Sequence, residues 1–152
     1  MNKRHMLAIG LVAALATAQL IRPGYTNPAS DPADSLAAQA GTSRALAAVL
    51  DRSCNECHSN LTTWPSYTKV APLSWVAASA VKEGRRVLNF SEWTNYSPAQ
   101  QRQLLEASCA AASSGKMPGS FYTSLEPRAR LSAEDVRTIC QASNEVAVGK
   151  SQ

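Results

Sequence analysis

The chain has 152 residues, of which 6% are aromatic and 17% charged, and its 15 basic and 11 acidic side chains give a formal net charge of +4. That length holds one small domain and a leader, and so few aromatic side chains make only a modest protein-only core. The Arg and Lys residues are scattered with no basic run, which excludes the electrostatic footprint of a nucleic-acid binder.

The N-terminus reads as an export signal over residues 1–18. Asn2-Lys3-Arg4-His5 is a positive head, Met6 to Leu15 is apolar and Ala-rich, and Ala16-Thr17-Ala18 has the small-x-small form of a cleavage site. The apolar stretch extends through Leu20 and Ile21 at most, short of the ~20 residues a spanning helix needs. A cleaved signal is the first reading, and an uncleaved anchor to about residue 21 is the alternative. Either places the domain outside the cytoplasm, in the bacterial periplasm, with a membrane contact only if the segment is retained. Residues 19–33 read as a linker punctuated by Pro23-Gly24, Asn27-Pro28 and Asp31-Pro32, and residues 34–148 as the domain.

Within the domain the periodicity predicts helices only. A first helix is expected from about Asp34 to Arg52, firm from Ser43 onward because Gly41-Thr42-Ser43 can break it. It delivers the chain into Cys54-Asn55-Glu56-Cys57-His58, a C-x-x-C-H sequence. This is the attachment motif of c-type haem. Two thiols three positions apart can add to the two vinyl groups of one porphyrin edge, and the histidine after the second thiol falls under the iron. A zinc site would want a second ligand pair at similar spacing, and a thioredoxin-type dithiol would want a βαβ pattern; the sequence offers neither. A buried porphyrin also supplies apolar surface that the composition lacks.

Residues 59–72 read as a loop wrapping the cofactor, followed by a helix from about Leu73 to Val87 and a short element at Ser91-Glu92-Trp93. Ser97-Pro98-Ala99-Gln100 starts the next helix, with Ser as cap, Pro at the first position and Gln three after the cap. That helix runs to about Ala112, with Leu104, Leu105, Ser108 and Cys109 inward. Ser132 caps a last helix with Val136, Ile139 and Cys140 inward. The fold class is all-α.

Haem iron takes a second axial ligand, water or a vacancy. The histidines are His5 and His58 and the methionines Met1, Met6 and Met117, so beyond the leader Met117 is the sole Met and no second His exists. Met117 lies in Gly115-Lys116-Met117-Pro118-Gly119, an irregular stretch suited to aiming a thioether at iron. A gap-filling Met, Lys116 as ligand and an open site remain as alternatives. Cys109 and Cys140 are left over. In an oxidising compartment a disulfide between the last two helices is expected, against two buried free thiols.

The chain resembles the bacterial haem-binding domain family of periplasmic c-type cytochromes. The resemblance rests on Ile21-Arg22-Pro23 and Asn27-Pro28, on Cys54 through Asn60, on Trp64-Pro65-Ser66-Tyr67, Ala71 through Trp75, Gly84-Arg85 and Leu88 through Trp93. It closes on Gly115-Lys116-Met117-Pro118 and Ala129 through Ser132. It implies a cytochrome c-like domain wrapped around one covalent haem c held by Cys54 and Cys57, with His58 on the iron. It further implies that the Pro72 carbonyl accepts the proximal His N–H, and that Trp64, Tyr67, Trp75 and Trp93 line the haem rather than merely packing the core. Arg85 or Arg86 would pair with a propionate, against the alternative of a solvated side chain.

Three functions compete: a one-electron carrier with His58/Met117 ligation that meets redox partner proteins of the periplasm, a haem-based ligand sensor or peroxidase-like protein with an open distal site, and a haem-free dithiol oxidoreductase. No catalytic constellation supports the second, and the third leaves His58 and the Met117 loop unexplained. The sequence is therefore read as an electron carrier and not an enzyme.

Overall fold

The computed structural model describes residues 2–148, with side chains through residue 144. Every regular element among them is helical. Helix α1, Lys3–Ala18, is capped by the Asn2 side chain and buries none of its residues. At 16 residues it is ~24 Å long, and no helix among the described residues is long and apolar enough to cross a membrane.

Residues 19–31 contain no helix but are tied to the domain along their length. The Gln19 side chain accepts from the Ala71 N–H at 3.0 Å and donates to its carbonyl at 3.3 Å. Tyr25 Oη donates to the Thr68 carbonyl, and Asn27 Nδ2 to that of Thr62. The stretch expected as a linker is thus a strap laid on the residues after the C-x-x-C-H motif.

The helix expected from Asp34 is instead two 3-10 turns, Pro32–Asp34 and Leu36–Ala38, separated by Ser35 in extended conformation. Gly41, at φ 94°, turns the chain, and Leu36 is driven into the core. Helix α2, Arg44–Ser53, starts where Ser43 accepts from the Leu46 N–H at 3.1 Å. It buries Leu46, Val49 and Leu50. Helix α3, Asn55–His58, is the motif itself. A 3-10 turn at Ser66–Lys69 leads to helix α4, Leu73–Val87. A second at Phe90–Asn95 places Phe90 and Trp93 in the core.

Helix α5, Pro98–Ser113, begins with the expected capping box between Ser97 and Gln100. Helix α6, Ser120–Leu125, is a short addition that the sequence did not signal. Helix α7, Ala133–Val148, begins where Ser132 and Asp135 bond reciprocally. Helices α5 and α7 pack together, and Cys109 and Cys140 are joined by a disulfide between them, with Cα atoms 4.7 Å apart. The core gathers Leu46, Val49 and Leu50 of α2 with Leu88, Phe90, Trp93, Leu105 and Ile139. It leaves one side of α4 and of α6 uncovered.

Candidate functional site

Helix α3 is one turn long because Cys54 serves two helices. Its N–H closes α2 on the Leu50 carbonyl at 2.9 Å, and its carbonyl accepts the N–H groups of Cys57 and His58 at 3.1 and 3.0 Å. The turn puts the two thiols on one short helix, both half-buried and unpaired. Cys54 packs against the edge of the core, and Cys57 forms part of a cleft wall. Burial, with Cys57 adding to it, pushes the Cys54 thiol up to about 12. Burial, followed by the charge of Glu56, raises the Cys57 thiol as well. A redox-active or metal-binding cysteine works as the thiolate, so both groups are poorly poised for that chemistry.

The His58 ring is fixed from behind. Its Nδ1 lies 3.1 Å from the Leu88 carbonyl, and the ring stands edge-on to Phe90 with centroids 6.2 Å apart. A backbone carbonyl on one ring nitrogen selects the tautomer that leaves the other nitrogen as a free lone-pair donor. Pro72 does not take this role. Its carbonyl accepts the N–H groups of Trp75 and Val76 in the first turn of α4. Leu88 does, because it ends α4 in extended conformation with its carbonyl released from the helix.

A buried polar network holds this arrangement. Asn60 Nδ2 donates to Glu92, Asn89 Nδ2 to Asn60 Oδ1, and Ser91 Oγ accepts the Asn60 N–H. Helix α4 can approach α3 because residue 84 is glycine: a Cβ there would collide with the Cys57 carbonyl oxygen and stand 2.9 Å from its carbon. Sequence reasoning quoted these residues only as parts of a resemblance. A carbonyl acceptor leaves no mark in side-chain identity, whereas Asn89 and Ser91, polar in a buried run, were a signal.

The cleft is apolar and open, with a cavity volume of about 100 Å³. Residues 62–68, α4 and α6 form its walls, with Trp64, Tyr67, Val76 and Phe121 among them. Val76 and Phe121 are half exposed, 50% and 56%. Exposed apolar surface concentrated around a groove marks a ligand site. Trp64 adopts φ 52° and stacks edge-on with Tyr25 at 5.0 Å. Its indole N–H is buried without an acceptor, a donor suited to the acidic rim of a porphyrin. Burial, helped by Glu126, pushes the Tyr67 hydroxyl up to about 12. Burial also raises Tyr122, with Glu56 the next cause. Both phenols are neutral donors. These residues fit a flat, apolar, acid-edged group such as haem.

Other expected residues are placed differently. Arg85 is not free for a propionate, since its guanidinium donates to the carbonyls of Ser59 and Thr26, to Asn27 Oδ1 and to Thr62 Oγ1 at 2.7–2.8 Å. Arg86 pairs with Glu83 one turn away. Trp93 is core, between Phe90 and Tyr96, and Trp75 donates to the Ile21 carbonyl on the outer surface. Met117 is 53% exposed in the turn after α5, outside the cleft wall and three residues before α6 begins. No three His, Cys, Asp or Glu side chains come together as a metal cluster among the described residues.

The profile of a family described as a haem-binding domain matches residues 13–145. No curated protein and no solved structure matches the chain.

Proposed function

The chain belongs to the haem-binding domain family, and from that premise we propose that it is a cytochrome c-like carrier of single electrons, holding one covalent haem c in the periplasm. The observation that carries this reading is the His58 ring, locked through Nδ1 to the Leu88 carbonyl, directly after two unpaired cysteines of which Cys57 lines an apolar cleft. Cys54 and Cys57 would hold the haem as thioethers and His58 would ligate its iron. Bound, haem supplies a one-electron ferric/ferrous couple.

The chain's own residues do the rest. The Leu88 carbonyl fixes the imidazole and raises its basicity. Trp64 and Tyr67 exclude water and offer neutral donors. Met117 would be the second protein ligand to the iron, supported by its place at the entry to α6, whose Phe121 and Tyr122 line the cleft. A thioether ligand would favour the reduced iron. The raised thiols weigh against the dithiol reading, and the absence of a ligand cluster among the described residues against the zinc reading.

The exposure of Met117 favours one alternative, a ligand sensor or peroxidase-like protein with an open distal position. Two measurements on protein matured in a cytochrome c-competent host decide. After acid acetone the haem stays with the polypeptide; haem in the solvent layer refutes covalent attachment. Reduced wild type binds CO at least tenfold more slowly than Met117→Ala. Equal rates refute Met117 ligation and turn the reading to the open-site alternative.

A further inference from the structure

The strap and the loop after the motif build a surface that the haem cleft does not use. Trp75 Nε1 donates to the Ile21 carbonyl at 2.8 Å, and Gln19 is bonded through both side-chain ends to Ala71, so Leu20, Ile21, Val70 and Trp75 share one neighbourhood. All four are exposed, Leu20 at 81% and Ile21 at 65%. Segments 19–30 and 59–82, which form this side, contain Arg22, Lys69 and Lys82 and not one Asp or Glu. The three cations are exposed, and Lys82 lies two turns along α4 from Trp75, on the same face. The chain enters this patch directly from α1, an apolar helix that buries nothing against the domain and carries Lys3 and Arg4 at its far end.

Exposed aliphatic side chains, an indole at their border and basic residues around them form the pattern of a bilayer-surface contact. A protein partner with the same complementarity would be both acidic and apolar. In the chain that retains α1, continuity with it selects lipid instead, since a helix apolar on all sides belongs in a core or a membrane. We infer that the folded domain docks through this face on an anionic phospholipid surface, beyond any anchoring by α1 itself. Each cation brought to such a leaflet favours binding roughly fivefold, and the aliphatic residues add apolar burial.

The test is lysine acetylation footprinting of the full, haem-loaded protein, read by mass spectrometry on vesicles of phosphatidylglycerol and phosphatidylethanolamine. Lys116, exposed in the turn after α5 and outside segments 19–30 and 59–82, is the internal reference. On anionic vesicles Lys69 and Lys82 are expected to react at least fivefold more slowly than without lipid, while Lys116 is unchanged. The Ile21→Glu/Val70→Glu variant, altered only at exposed positions, abolishes the protection and keeps the wild-type haem spectrum. Arg22→Glu/Lys69→Glu abolishes it at Lys82. Unprotected lysines on anionic vesicles overturn the inference. So does protection that is equal on pure phosphatidylcholine in high salt. Protection without lipid that rises with protein concentration also overturns it, and assigns the face to a second copy of the chain.

Discussion

At the scale of single residues, Gly84 and Leu88 govern the motif more than its chemistry alone suggests. Gly84 lets α4 press on the Cys57 carbonyl, and four residues later Leu88 turns its own carbonyl to His58. A methyl group at 84 meets backbone, not a side chain that could swing aside. Gly84→Ala therefore separates α3 from α4, at a cost of about 1–3 kcal/mol, and draws Leu88 off the imidazole. The expected outcome is a lower melting temperature in calorimetry together with a poorer yield of haem-loaded protein. C-x-x-C-H was legible because its chemistry resides in side chains at fixed spacing. Leu88 was not, since any residue could present that carbonyl. Arg85 misled for a related reason: its sequence gives the charge but not that the carbonyls of Thr26 in the strap and Ser59 after the motif already occupy it.

Among elements, capping boundaries were readable and irregular segments were not. Ser43, Ser97 and Ser132 each start a helix through a side-chain bond that depends on neighbours one turn away. Residues 34–42 fail as a helix because Ser35 is extended and Gly41 left-handed, choices that tertiary contacts settle. Helices α5 and α7 are held by the disulfide, whose loop of about 30 residues contributes roughly 3–4 kcal/mol on chain-entropy grounds. Replacing both Cys109 and Cys140 by Ala should lower the denaturation midpoint by a corresponding amount, measured in urea. Helices α2 and α7 are joined by Arg52 and Asp135, 2.8 Å apart. Burial works to raise the Asp135 carboxyl, but hydrogen bonds from Ser132 and Arg52 outweigh it and hold the group below the usual carboxylate range. Its stabilisation is then complete above the unfolded value near ~3.9 and is lost as pH falls through the folded value. For a partly exposed pair the effect is below ~1 kcal/mol, or on the order of 2–4 °C. Asp135→Asn should melt lower than wild type at pH 6, and the difference should vanish as pH falls through the lowered folded value.

Over the whole molecule, the strap makes the first residues of the domain part of its site. Arg85 gathers Thr26, Asn27, Ser59 and Thr62 around one guanidinium. Charge-assisted bonds of this kind are worth about 1.5–3 kcal/mol, so Arg85→Met should speed limited proteolysis within residues 22–28 at least tenfold while leaving α5 and α7 resistant. Composition suggested a linker because the segment is rich in Pro, Gly and Asn and has no period. Those features describe a chain without helix equally when it is bound and when it is free.

All of the strap's ties cross long stretches of sequence, 35 residues from Asn27 to Thr62 and 59 from Thr26 to Arg85. A chain delivered N-terminus first releases the strap with none of its partners yet present. Cys54, Cys57 and His58 follow, and the guanidinium that fastens strap to motif arrives 27 residues behind His58. Closing contacts of such separation form late. The order of emergence therefore leaves the thiols of the motif reachable for an interval before the strap is fastened. The interval ends when α4 is complete.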